Sequence, residues 1–149
     1  MKLVHRVRTA ASPAQVWEVL GTPAHWPQFD LFLAKVRGTD RPAAAGQHLV
    51  GVSRWTQLGI PLDVLEVDPE RRLVVRIRTA PGLTEELTFV LTPTTKGGTV
   101  ISVATVVEGL FARPAAPVLW LANGLNARVL ARRTHNRARQ ARRTAKTVA

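Results

Sequence analysis

The chain has 149 residues, 46% hydrophobic and 21% charged, with a formal net charge of +11 and no cysteine. That length suits one domain with a real core, and the composition is too apolar for a disordered chain. Lack of cysteine excludes disulfides, thiolate metal sites, iron–sulfur clusters and cysteine nucleophiles, and fits a reducing cytoplasm; no apolar run reaches the ~18 residues of a membrane span.

Residues 2–9 alternate and predict a strand, and Lys2, His5, Arg6 and Arg8 interrupt the apolar segment a signal peptide needs. Ser12-Pro13-Ala14-Gln15 has the form of a capping box, with proline at the first helical position. Val16, Trp17, Val19 and Leu20 follow at helical spacing, and Gly21 ends that helix. Thr22-Pro23 repeats the start signal for a second short helix, which Pro27 curtails.

Strand signals then dominate. Strands are predicted over 31–38, 47–58, 62–67, 73–79, 84–92 and 99–107. The first pair is separated by the loop 41–46, and Gly59-Ile60-Pro61 breaks the chain after residue 58. Asp68-Pro69-Glu70-Arg71, Pro81-Gly82 and Lys96-Gly97-Gly98 mark turns. Turns about ten residues apart indicate an antiparallel meander.

From Pro114 the period changes. Val118, Leu121, Ala122, Leu125 and Val129 form one apolar helical stripe, which is expected to face the sheet and which fades after Leu130. Residues 1–108 hold 12 basic and 10 acidic side chains, whereas 109–149 hold nine basic and none acidic. The expected organisation is a domain over 1–131 and a basic helical extension over 132–149. Arg128, Arg132, Arg133, Arg137, Arg139, Arg142 and Arg143 either meet an anionic membrane or acidic partner, or form a solvated helix end. The stretch 128–146 has no aromatic residue to stack on single-stranded bases, which argues against nucleic acid.

The order of strand, two short helices, six strands and long helix gives an α+β class. Such a sheet must bury its inner face under the helix, and a curved sheet leaves room for an apolar ligand, typically ~300–1,000 Å³. The stretches ASPAQVWEVLGTPAHWPQF (11–29), DVLEVDPERRLVVRI (63–77) and GGTVISVATVVEG (97–109) resemble the START-like, or Bet v 1-like, superfamily (SRPBCC), over about residues 1–130. That group includes polyketide cyclases, coenzyme Q-binding proteins and lipid-transfer domains. The resemblance implies a helix-grip fold, a seven-stranded antiparallel sheet curved around the C-terminal helix, with a hydrophobic cavity beneath that helix.

Alternation places Leu65, Ile77, Leu87 and Phe89 inward, with Val7, Leu73 and Leu91. Trp26 and Phe29 lie where the superfamily borders its cavity mouth. Trp55 is expected in the third strand. Trp120, Leu121 and Gly124 lie on the long helix, where Gly124 begins a ridge of small residues open to close approach by sheet or ligand. These are the candidate ligand contacts, with core packing as the alternative account. The inward polar candidates for acid–base work are His5, Asp63 and Glu85, each otherwise an exposed rim residue.

No G-x-S-x-G, H-E-x-x-H or phosphate-loop pattern occurs, so nothing points to a metal, nucleotide or flavin. Two functions stand: binding of a hydrophobic or aromatic small molecule (lipid, isoprenoid or polyketide-like), or a polyketide cyclase/aromatase-type enzyme using the same cavity. The oligomeric state, monomer or homodimer, stays open.

Overall fold

The computed structural model describes residues 1–38 and 40–148. Strand β1 (Lys2–Thr9) leads into helix α1 (Pro13–Leu20) and a 3-10 helix at Pro23–Gln28. Strands β2 (Leu33–Arg37), β3 (His48–Ser53), β4 (Gly59–Asp68), β5 (Arg72–Ala80), β6 (Leu83–Pro93) and β7 (Thr99–Glu108) follow, then helix α2 (Ala112–Val148). The seven strands form one sheet in the order β1-β7-β6-β5-β4-β3-β2, every pair antiparallel. This is the α+β, helix-grip-type architecture.

Local chemistry explains the elements. The Ser12 hydroxyl accepts from the Gln15 N–H, and the Gln15 side chain accepts from the Ser12 N–H. This closes the capping box and satisfies donors that a helix start leaves open. The Trp26 indole donates to the Leu20 carbonyl at 2.8 Å and ties the 3-10 helix to the end of α1. Val16, Val19 and Leu20 then meet Leu73, Leu91, Ile101 and Leu130 in the main core. Burying each such leucine contributes about 2–3 kcal/mol.

Three expectations are corrected. The segment Gly59-Ile60-Pro61 opens β4 instead of breaking the chain. Pro61 lies opposite Val50 of β3, and pairing with β5 begins only at Leu62. Its missing N–H thus falls where β4 has a single neighbour. The third strand consequently ends at Ser53, and Trp55 sits in the turn beyond it.

Leu65, expected inward, faces solvent. It is the extra residue of a bulge, since Val64 pairs with Val75 and Glu66 with Val74. An added residue reverses the alternation on its N-terminal side, so Leu62 and Val64 point inward and Asp63 outward.

The buried face of α2 is also rotated from the predicted stripe. Ala116, Leu119, Ala122, Asn123, Asn126, Ala127, Leu130, Ala131, Thr134 and Ala138 are buried, while Val118 and Leu121 are 63% and 56% exposed. The helix rests closely on β1 and β7. Small side chains permit that approach, Leu119 and Leu130 are the bulky apolar residues buried with them, and Val118 and Leu121 turn away.

Helix α2 runs unbroken for 37 residues, about 55 Å at ~1.5 Å per residue. Its seat extends past the expected boundary at residue 131. The Thr134 hydroxyl lies 3.1 Å from that of Thr9, His135 Nδ1 accepts from the Ala10 N–H, and Ala138 is in the core. Arg132, Arg133 and Arg137 are already exposed beside this seat, and after Ala138 the described part of the helix is exposed on every side; Ala149 lies outside the described residues.

Candidate functional site

Because α2 rests on the β1–β7 side, the inner face of β4, β5 and β6 is left partly uncovered. A cavity of about 930 Å³ occupies this space. Its walls come from Leu33, Ile60, Leu62, Ile77, Leu83 and Leu87 on the sheet side and Ala115, Val118 and Leu119 on α2. Strands β3, β5 and β7 all end, and β2 begins, at one end of the sheet. The loop before β2, the β3–β4 turn, the β5–β6 turn and the β7–α2 loop therefore gather there. They carry the exposed apolar residues Leu31, Phe32, Trp55, Leu58, Leu110 and Phe111. Gly109 holds two of these segments together. Its φ is +112°, and a Cβ there would lie 2.1 Å from the Gly82 carbonyl oxygen, so glycine alone fits.

The polar groups of the wall converge. Glu85, on β6, is 5% exposed. Its Oε2 accepts from the Thr79 hydroxyl at 2.5 Å and its Oε1 from Asn123 Nδ2 at 3.4 Å. Asn123 also donates to the buried Thr105 hydroxyl at 3.1 Å. Close by, Asp30 accepts from the Phe32 N–H at 2.9 Å, and Asn126 accepts from the Leu31 N–H while its side chain bonds to Asp30. Burial pushes the Asp30 carboxyl above its ordinary range, and repulsion from Glu85 adds to this. Hydrogen bonds from Phe32, Asn126 and Leu33 pull the other way.

Of the candidates named from sequence, Glu85, Ile77 and Leu87 line the cavity. Trp26, Phe29 and Phe89 are buried in the main core, with the two phenyl rings edge to face at 6.3 Å. Trp55 is 72% exposed in its turn, Leu121 is exposed on α2, and Trp120 is half-exposed at the edge of the contact between α2 and β1. Leu65 projects from the bulge. Gly124 is pressed against His5, whose ring lies 5.1 Å from that of Trp120. His5 Nε2 is buried there without a hydrogen-bond partner. Asp63 is on the opposite face of the sheet, 2.6 Å from His48 Nδ1 and 4.0 Å from Arg78. Thus His5 and Asp63 stand apart from the cavity that Glu85 enters.

Asp30, Asn123 and Asn126 were not singled out from sequence. Their signal is a polar residue inside an apolar run: Phe29-Asp30-Leu31-Phe32-Leu33, and two asparagines three apart around Gly124 and Leu125. Among the described residues no group of His, Asp or Glu is placed to hold a metal ion, and no helix is long and apolar enough to cross a membrane.

The family described as "Polyketide cyclase / dehydrase and lipid transport" matches residues 1–146. Protein MLL2253 from Mesorhizobium loti is similar in structure, with a TM-score of 0.72 at 21% identity, covering 89% of this chain and 95% of its own. The hypothetical protein jhp0584 from Helicobacter pylori gives 0.74 at 11% identity, covering 90% and 88%. A Thermobifida fusca protein gives 0.68 at 19% identity, covering 89% and 92%. At these identities the likeness concerns the fold. No functionally curated protein matches the chain.

Proposed function

We propose that this chain, which belongs to the polyketide cyclase / dehydrase and lipid transport family, encloses a hydrophobic or aromatic small molecule between its sheet and α2. The observation that carries this is the mostly aliphatic hollow of about 930 Å³, the size of a lipid, isoprenoid or polyketide-like compound. Each ~100 Å² of ligand apolar surface withdrawn from water contributes about 2.5 kcal/mol. The test is mass spectrometry of solvent extracts of the purified protein, with titration by the neutral dye Nile red. An apolar compound in the extract and saturable dye binding are expected. A folded protein that yields no such compound and binds no dye would overturn the reading.

A second reading, a polyketide cyclase/aromatase-type enzyme, is favoured by the convergence of polar groups at one depth. Glu85 would accept a proton and Asp30, raised by burial, would supply one, while the walls fold the chain and exclude water. Turnover of a poly-β-keto thioester that falls on Glu85→Gln or Asp30→Asn substitution would favour it. The Arg-rich end of α2 supports contact with an anionic membrane, and a cytoplasmic setting fits the absence of cysteine. Binding to anionic vesicles would then weaken steeply with salt.

A further inference from the structure

We propose that the cavity selects an apolar ligand whose polar end is a cationic amine, received between Glu85 and Asp30. This rests on the cavity reading and adds the charge of the ligand's end.

The argument starts from what the two carboxyls lack. Every hydrogen bond described for them comes from a neutral donor: Thr79 and Asn123 to Glu85, and Phe32, Leu33 and Asn126 to Asp30. A carboxylate offers about four acceptor positions, so the two bonds to Glu85 leave it half used. The described ion pairs are His48–Asp63, Glu66–Arg72, Arg76–Glu86 and Arg78–Asp63. Neither cavity acid belongs to one. Arg78 touches the cavity wall, but its side chain is 65% exposed and its guanidinium is directed to Asp63.

Two acids thus face one apolar hollow and repel each other across it. A buried carboxylate without a cation is unfavourable. An incoming ammonium supplies the missing charge and fills the open acceptor positions, whereas an incoming carboxylate adds a third like charge. The aliphatic remainder of the wall receives the ligand's tail.

Nile red displacement by dodecylamine, dodecanol and dodecanoate at pH 7 tests this. The amine is expected to bind about tenfold tighter than the alcohol, and the alcohol tighter than the acid. The chain carries +11 overall, so long-range attraction favours dodecanoate, and amine preference therefore reports the acidic end of the cavity. Glu85→Gln should bring the amine to within about twofold of the alcohol, and Asp30→Asn provides the same comparison should Glu85→Gln fail to fold. Equal binding of amine and alcohol, tighter binding of dodecanoate, or amine preference surviving both substitutions would overturn the inference while leaving the cavity reading intact. Failure of Nile red and all three alkyl compounds to bind would overturn both.

Discussion

A Cβ built on Gly124 lies 2.8 Å from Cε1 of His5. Helix and sheet touch here with no space between them. Gly124→Ala should therefore strain the contact by about 1–3 kcal/mol, offset by the ~1 kcal/mol that alanine gains over glycine in a helix. A net loss near 1 kcal/mol is expected in urea denaturation. Adding His5→Ala should make the alanine at 124 neutral or favourable, a coupling that a double-mutant cycle reads directly.

Asp30 gives a pH signature. Its carboxyl is raised by burial first and by Glu85 second, so between the ordinary carboxylate range and the raised value the folded state binds more protons than the unfolded one. Stability from this group then falls as pH rises through that window and stays lowered above it. Asp30→Asn should gain stability relative to the parent between pH 4 and neutrality, measured as the difference of their unfolding free energies. A difference independent of pH would contradict the assignment.

Asn123 joins Glu85 to Thr105. Asn123→Leu keeps the branched outline of the side chain but leaves both partners short of a donor, with an expected loss of about 1–3 kcal/mol. If Glu85→Gln is already present, the same change should cost less, because a neutral amide is easier to leave without a partner.

The seat of α2 ends at Ala138. Removal of residues 140–149 should change stability by less than about 0.5 kcal/mol. Ending the chain at residue 133 removes the Thr134–Thr9 bond, the His135 contact and buried Ala138, and should lower it by at least ~2 kcal/mol. Thermal melts of the two truncations distinguish them.

The chain order, the capping box at Ser12 and the turns at Asp68 and Gly97 were legible because each depends on neighbouring residues alone. The alternation of β5 and β6 was legible for the same reason, and it placed Ile77, Glu85 and Leu87 on the inner face. What failed depended on partners distant in sequence. Leu65 looks like any strand leucine, and only the unequal count of residues between β4 and β5 makes it a bulge. The α2 stripe was read from its largest apolar residues, but the distance between helix and sheet decides which face is buried. That distance is set by Gly124 and the alanines. Asp30 and the two asparagines belong to the site because the segment after the 3-10 helix and α2 border the same hollow, which no local pattern records.

The bulge at Leu65 works as a frameshift in the sheet. N-terminal to it, one extra residue decides that Leu62 and Val64 face the interior while Asp63 joins His48 on the far side. If the ladder instead ran uninterrupted through Leu65, every position from 59 to 64 would exchange sides. Leucine and valine would move to water, and a third carboxylate would enter the hollow. Leaving Leu65 out of the ladder therefore decides which side chains of β4 this protein presents to its interior.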